Sequence, residues 1–422
     1  MMLWSLLILF LLVAGWWIAL LFLPSQRAAH RFTYGPLDAP DKFNGLIPRD
    51  DVRHAFAGDP TPWPEVTVVV PGRNEGHVLN QTLRSLCLQD YPNYRVVFID
   101  DQSTDNSAEV AARLQAEFPH LTVLHNTQPP APGWVGKVWA IHQARTQINP
   151  QTEYLLFCDS DLQFDPHCLR QMIRLARHRN TDLTSILPAL ECHSFGEFLG
   201  ILAGMVAICI AYPVRVSNTP RTSKVLVAGG FMLFKRAAYD AFGGHEAVRG
   251  QVVEDIALGT LAKTSGLRVF TVHADRLLRA HMYEGVRDTF RGLAKNAYAG
   301  AHYNPFLGVF FFVLMLFAGC LVPVYPLIGL GLWIVQPSLM TAAICAASIA
   351  GAIAMIDFGA RTARLVALRT VSGWLLPASF CFFLAVLVTS IFDHYRGGNR
   401  WSGRRIDPKD VQTIPQARRN SP

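Results

Sequence analysis

Apolar residues follow two different rhythms along this chain. From Glu65 to Cys158, short apolar runs alternate with segments whose apolar positions recur every three or four residues. Val66 to Val70 predicts a buried strand, stopped by Pro71-Gly72. His77 to Leu88 has helical spacing, Arg95 to Ile99 predicts a second strand, and Ser107 to Phe118 a helix. Leu121 to Leu124 predicts a third strand, Gly136 to Gln147 a helix, and Tyr154 to Cys158 a fourth strand. Strands alternating with helices imply an α/β class with a mostly parallel sheet covered on both faces. Such sheets bind ligands beyond the carboxyl ends of their strands.

The second rhythm is unbroken. Met1 to Gln26, Phe306 to Gln336, Ser338 to Ile356 and Val371 to Phe392 carry no formal charge. Each is long enough, at about 20 residues, to cross a bilayer core. The chain therefore divides into an anchor over 1–26, a linker rich in Pro, Gly and charge over 27–63, and a globular domain over 64–304. Transmembrane or re-entrant helices over 305–392 and a basic tail over 393–422 follow. The first segment lacks a basic leader and a small-residue cleavage site, so it reads as an uncleaved anchor. Arg27, His30 and Arg31 follow it, and the positive-inside rule puts the globular domain in the cytoplasm of a multi-pass cell-membrane protein. The linker Arg361, Arg364, Arg369 and the tail Arg396, Arg400, Arg404, Arg405 favour the inside too. Both cannot be inside if Val371 to Phe392 crosses fully. Pro377 would let that segment kink or re-enter. Phe195 to Tyr212 is short for a span, and reads as a buried helix or as one lying at the bilayer surface beside a lipid acceptor.

Charge changes the picture only at the edges. The net +7 gathers near the apolar segments, above all in the tail, which suits anionic headgroups and argues against a nucleic-acid partner. Eight scattered cysteines with no C-x-x-C spacing form neither a disulfide framework nor a zinc site, consistent with a reducing compartment.

The candidate chemistry falls at strand ends. CDSDLQFD, Cys158 to Asp165, closes the fourth strand and aims Asp159 and Asp161 at the crevice. Hard oxygen ligands there suit Mg²⁺ or Mn²⁺, ions that usually stay attached to a phosphate; two solvated loop acids are the plain alternative. FIDDQSTDNS ends the second strand. Ser103 or Thr104 can cap the next helix, with Asp105 in its first turn, while Asp100 and Asp101 could bind a uracil N3–H or a ribose hydroxyl, or simply form a turn. PGRNE puts Arg73, Asn74 and Glu75 at the crevice mouth after the Pro71-Gly72 turn. In PGWVGK, Lys137 lies near a helix start, where the dipole disfavours a cation, so it reads as serving an anion such as a nucleotide phosphate. VVEDIALG places Glu254 and Asp255 at a helix start, where acids are favoured anyway. Arg287, Arg291 and Lys295 share one helix face and could neutralise a diphosphate or meet lipid headgroups.

The ordered set PGRNE, FIDDQSTD, PGWVGK, CDSD, VAGGFMLFKRAAYDAFGG and VVEDIALG, over about Val66 to Gly300, resembles the family 2 glycosyltransferases of GT-A fold. The membrane-anchored members that act on hopanoids, carotenoids or ceramide are similar in layout. The resemblance implies an inverting transfer from a nucleotide-sugar, UDP-linked, to a hydroxyl or carboxyl of a membrane lipid. It implies that Pro71, Arg73, Glu75, Asp100, Asp101, Lys137 and Asp159 bind the nucleotide, and that Asp159 and Asp161 hold a divalent ion. Asp255 matches the catalytic base, and Gly229, Gly230, Glu254, Arg291 and Lys295 fall toward the acceptor or leaving group. The Q-x-x-R-W string of processive synthases is missing, with FRGLAKNAYAG in its place. A processive polysaccharide synthase is the first alternative and a non-catalytic membrane scaffold of the same fold the second.

Overall fold

Strands buried on both faces become the centre of a layered sheet, and that is where the apolar runs lie. The computed structural model describes residues 2–22, 62–212, 217–219, 222–274, 276–301, 303–365, 368, 370–396, 400–401 and 404–405. Almost all of the linker over 27–63 and most of the basic tail lie outside the described residues. The chain forms two units. One comprises Phe32–Ala189, Val214–Met282 and Gly397–Pro422, the other Met1–Arg31, Leu190–Pro213 and Tyr283–Arg396.

The first unit is built on β1 (Val66–Gly72), β2 (Tyr94–Asp101), β3 (Leu121–Asn126), β4 (Tyr154–Phe157), β5 (Leu162–Phe164), β6 (Leu183–Leu187), β7 (Ala189–Leu190), β8 (Met232–Lys235), β9 (Val269–His273) and β10 (Leu278–Ala280). Its main sheet runs β3-β2-β1-β4-β8-β6-β9. Only β8 is antiparallel to its neighbours. The helices α2 (Gly76–Cys87), α3 (Ser107–Glu117), α4 (Gly136–Gln143), α5 (Cys168–His178), α7 (Arg236–Ala241) and α8 (Glu254–Thr264) complete the unit. On α2 the buried Leu79, Leu83 and Leu86 recur at helical spacing and form its inner stripe. Val69, Phe157, Leu183, Phe234 and Leu258 share one core. The chain builds β1, β2 and β3 outward in one direction, then returns to place β4 on the other side of β1. That reversal opens a crevice at the carboxyl ends of β1 and β4.

Three local expectations change. Pro71-Gly72 does not stop β1, which runs through Gly72, because Val69 is already the last residue of β1 paired with β4. A proline without an N–H is tolerated where the ladder on one side has ended. The helix expected over Gly136 to Gln147 is α-helical only to Gln143 and tightens into a 3₁₀ turn over Ala144–Gln147. Neither Ser103 nor Thr104 caps α3; their hydrogen-bonding groups meet the loop after β1 instead.

The second unit is helical: α1 (Met2–Leu21), α6 (Phe195–Ala211), α9 (Gly285–Gly300), α10 (Pro305–Met315), α11 (Val324–Val335), α12 (Leu339–Leu365) and α13 (Leu376–Tyr395). Met2–Leu21, Leu339–Arg364 and Ser372–Tyr395 are long and apolar enough to cross a membrane. The run expected as one segment over Phe306 to Gln336 bends by 56° between Cys320 and Val324. A π-helical turn over Leu316–Cys320 precedes the bend, and Pro323 follows it. Pro377 kinks nothing: it sits in the first turn of α13, where a missing N–H costs no bond. Helix α12 runs beyond Ile356 to include Asp357, Arg361 and Arg364, and Arg361 pairs with Asp357 at 2.6 Å. Arg369 lies outside the described residues.

Glu197 is the acid inside α6, and the structure gives it a use. Its carboxylate accepts from the backbone N–H of His193 at 2.7 Å, the hydroxyl of Ser194 at 2.7 Å and the N–H of Gly285 at 2.6 Å. One carboxylate thus caps α6 and ties it to the start of α9. Burial would push this carboxyl up, but those hydrogen bonds win and hold it down at about 2. Glu197→Gln removes the charge from several donors, so it should cost about 2 kcal/mol, read as a lower Tm in detergent. A depressed pKa gives stability that is full above the ordinary value of 4.5 and lost as pH falls toward about 2. The gap between wild type and Glu197→Gln should therefore close in acid.

Candidate active site

The crevice is lined by the segments that follow β1, β2 and β4, and each is fastened by side chains from its neighbours. The loop after β1 is held by the loop after β2. Ser103 Oγ accepts from the N–H of Asn74 at 3.0 Å, Ser107 Oγ from Glu75 at 2.9 Å, and Asp105 Oδ2 from Gly76 at 3.0 Å. Asn74 Oδ1 in return accepts from the N–H of Thr104 at 2.7 Å. Asn74 and Gln102 have φ of 58° and 57°, so both loops reach this geometry through left-handed residues. Arg73 donates to the carbonyl of Asp101 at 2.6 Å.

Asp100 and Asp101 are buried at the end of β2. Asn126, at the end of the neighbouring β3, donates to Asp101 Oδ1 at 2.7 Å. Asp100 Oδ1 accepts from the N–H of Ser103 at 3.3 Å, and its other oxygen faces His125 Nδ1 at 3.3 Å.

The loop after β4 is clamped from α2. Thr82 donates its hydroxyl to the carbonyl of Ser160 at 2.7 Å and accepts from the N–H of Leu162 at 3.1 Å. The clamp straddles Asp161, and Asp159 and Asp161 stay partly open to solvent. A side chain at Gly72 would put its Cβ 2.7 Å from the Phe98 ring, so that ring of β2 fits against β1 only because Gly72 has none; Ser160 Cβ would lie at ordinary contact, 3.5 Å.

Charge concentrates where α4 and α8 begin. Lys137 Nζ meets Asp159 Oδ1 at 2.5 Å and also contacts Glu254 Oε1. Asp255 Oδ2 accepts from the N–H of Gly229 at 2.9 Å, and its Oδ1 from Ile256 at 2.7 Å. A Cβ at Gly229 would lie 3.3 Å from Lys137 Nζ and 3.5 Å from both Asp159 Oδ2 and Asp255 Oδ2. Lys137, Asp159 and the Glu254-Asp255 pair, from three separate stretches of sequence, therefore meet beside Gly229. Burial would drain the Lys137 charge, but Asp159 and Glu254 overcome it and hold the ammonium well above the usual lysine range. Asp255 is pushed far above the carboxylate range, first by enclosure in protein and then by Glu254, with Lys137 pulling the other way. Behind the site, His245 packs on Phe157 and bonds Tyr239 Oη at 2.8 Å; burial and Lys137 keep it neutral, down at about 3.

Of the residues expected from sequence, Pro71, Arg73, Glu75, Asp100, Asp101, Lys137, Asp159, Asp161, Gly229, Gly230, Glu254 and Asp255 all belong to the α/β unit. Gly230 backs onto Leu162. Arg291 and Lys295 lie on α9 of the helical unit, Arg291 exposed. Sequence reasoning missed Thr82, Asn126, Asp105 and Ser107 as the groups that hold the loops, because each acts across at least 25 residues on a partner chosen by the fold.

Among the described residues no three His, Cys, Asp or Glu side chains gather in a group able to hold a metal by themselves. The donors nevertheless fit one kind of ion. Two carboxylates one residue apart, partly open, suit a hard cation that completes its shell with water and phosphate oxygens. The Lys137 ammonium already stands as a cation against Asp159.

Residues 67–242 match the family described as Glycosyl transferase family 2. A 4,4'-diaponeurosporenoate glycosyltransferase from Staphylococcus haemolyticus (strain JCSC1435) is 24% identical over 239 residues, 56% of this chain and 62% of the relative. Its counterpart from Staphylococcus aureus (strain USA300) is 25% identical over 241 residues, 56% of this chain and 61% of the relative. The chain thus spans about three fifths of the length of these curated relatives. Among solved structures, a mannosyltransferase from Pyrobaculum calidifontis in complex with GDP-Man and Mn²⁺ aligns with a TM-score of 0.53 and 17% identity, covering 92% of this chain and 99% of that one. The two share a fold, the GT-A arrangement expected from the sequence.

Thr82→Val keeps the shape of the side chain and removes both hydrogen bonds, leaving the buried Ser160 carbonyl and Leu162 N–H without that partner. It should cost about 1–3 kcal/mol in thermal unfolding, and Thr82→Ser should recover most of it.

Proposed function

We propose that this chain, whose residues 67–242 match Glycosyl transferase family 2, moves one sugar, with inversion, from a nucleotide-sugar of the UDP-hexose type to a hydroxyl or carboxyl of a membrane lipid. The observation that carries this reading is the convergence of Lys137, Asp159, Glu254 and Asp255 around Gly229, beside the crevice where the parallel strands end. A nucleotide diphosphate is an anion that needs fixed positive charge, and a hydroxyl acceptor needs a base.

In this reading the loops carrying Arg73, Glu75, Asp100 and Asp101 hold the nucleoside, and the acceptor oxygen attacks the anomeric carbon opposite its bond to the diphosphate. The new carbon–oxygen bond forms as the diphosphate leaves. Asp255 receives the hydroxyl proton, and its two backbone hydrogen bonds fix the carboxylate in place. Lys137 offsets charge gathering on the leaving diphosphate, a preorganised effect of several kcal/mol in comparable sites. Asp159 and Asp161 would hold Mg²⁺ or Mn²⁺, which when bound would neutralise part of that same charge. The mannosyltransferase that shares this fold is described with Mn²⁺.

A membrane lipid acceptor is supported by three helices long and apolar enough to cross a bilayer, and by relatives named for 4,4'-diaponeurosporenoate. Basic residues following the first apolar segment support a cytoplasmic catalytic domain at the cell membrane.

Two sets of measurements test the reading. Asp255→Asn should lower sugar transfer by about 10²–10⁴-fold while UDP binding, read by calorimetry, stays within about threefold. Mass spectrometry of lipids from membranes given labelled nucleotide-sugars should show one added sugar; a ladder would favour a processive synthase, and unchanged activity in Asp255→Asn a different base. The second concerns pH. Asp255 works only when deprotonated, and its pKa is raised, so the acid limb of the kcat profile should lie above the usual carboxylate range. Lys137 lowers that pKa, so Lys137→Met should move the limb to still higher pH.

A further inference from the structure

Two sets of basic residues, on either side of the last apolar segment, favour the same face of the membrane, and the helical unit shows how both can have it. Helix α12 runs parallel to α1: a Cβ at Gly351 would lie 3.3 Å from Ala14 Cα, and Phe358 packs on Trp17 at 5.5 Å. Helix α11 runs antiparallel to α12, with Gly329 against Cys345 and Ser348, and it meets α1 where Tyr325 stacks on Phe10 at 4.6 Å. The Met2 end of α1 and the Gln336-Pro337-Ser338 turn therefore share one end of this three-helix group, and neither carries a charged side chain. The opposite end carries Arg361 and Arg364 of α12.

Helix α13 starts at that second end, where Leu376 packs on Gly359. It pairs antiparallel with the α10 run: Phe380 lies against Gly319 and Ile391 against Gly308. The α10 run meets α11 at a bend of 56°, which is less than a right angle. Its Asn304 end therefore points away from the Gln336–Ser338 turn, and so does the Tyr395 end of α13. At this angle the run over Pro305–Cys320, about 24 Å long, advances only about 13 Å along the axis of α11. The hairpin moves mostly sideways. Helix α9 runs beside it in the direction of α13, with Phe290 on Phe382 at 5.7 Å and the Tyr298 N–H on Ser390 Oγ at 3.0 Å.

We infer that α13 does not cross the membrane: α10 and α13 form a slanted hairpin whose surface fits the headgroup boundary of the leaflet that faces the basic ends of α12 and α13. The chain would cross through α1, through α11 with the bent turn that leads into it, and through α12. The surface has the chemistry that boundary selects. Phe306, Phe310, Trp374, Phe392 and Tyr395 are exposed on the hairpin and its approach, and Arg287 and Arg291 are exposed on α9. Which leaflet this is rests on the cytoplasmic placement proposed above; which helices cross does not.

The test uses full-length chain carrying one protease-cleavable epitope per variant, between Gln336 and Pro337, between Ala367 and Leu368, or after Pro422. Right-side-out and inside-out vesicles are digested with protease. The last two sites should be cut from the same face and the first from the other. Cutting of the last two from opposite faces would overturn the inference. If they share the outer face, the hairpin stands and the cytoplasmic placement fails. Should an insertion prevent folding, nitroxide labels on Trp374→Cys and Phe392→Cys, in a Cys381→Ser background, give a second reading in sealed right-side-out vesicles. An impermeant external reductant should bleach both or neither, whereas bleaching of one alone would mean that α13 crosses.

Discussion

Asp159, Glu254 and Asp255 crowd one corner of the crevice, and Lys137 is the positive charge among them. The Coulomb attraction of such a pair must first offset the cost of taking both charges out of water, so what it secures is the placement of the acids more than net stability. Asp159 and Glu254 both touch the ammonium, and their attraction outweighs the burial that would neutralise it. Asp255, which takes its hydrogen bonds from backbone, is left with the repulsion of Glu254 and a raised pKa. A single lysine thus sorts three chemically similar acids into two kinds: charged partners of a cation, and a carboxyl poised to accept a proton.

That sorting depends on the sheet. The reversal of strand order between β1 and β4 opens the crevice, and Gly72 leaves room at its edge for the Phe98 ring of β2. Thr82 fixes the Ser160–Leu162 backbone from the neighbouring helix, and Ser103, Asp105 and Ser107 fix the loop after β1. Every one of these bonds joins a side chain to a backbone group of another segment. The loops have little regular structure of their own, so without such bonds their polar backbone groups would turn to water and the acids would disperse.

Much of this was legible in the sequence because it is periodic or local. The apolar runs of β1 to β4 and the stripe on α2 announce strands and a helix, and acids directly after such runs must fall at strand ends. Lys137 stood out because a cation near a helix start calls for an anion, and in the structure it stands against Asp159 and Glu254. The clamps were not legible. Thr82 looks like any small polar residue in a helix, and Asp105 and Ser107 look like the opening of the next one, yet their partners lie 78 and 29–32 residues away. Such pairings follow from the register of strands, which no local pattern encodes.

The apolar segments show the same limit from the other side. Hydropathy measures whether a helix is long and greasy enough to cross, and α13 passes that measure as easily as α1. Crossing is a matter of direction, and direction is set by partners. The bend after the π-helical turn aims the α10 run, and the small faces of Gly308 and Gly319 bring α13 against it. Gly200 lets Thr289 and Phe382 approach from the other side, so α6 and α9 continue the same layer. A helix whose neighbours all lean one way leans with them. The two basic sets flanking α13 then fall on one face without either being carried through the bilayer, which the charge pattern alone had made contradictory.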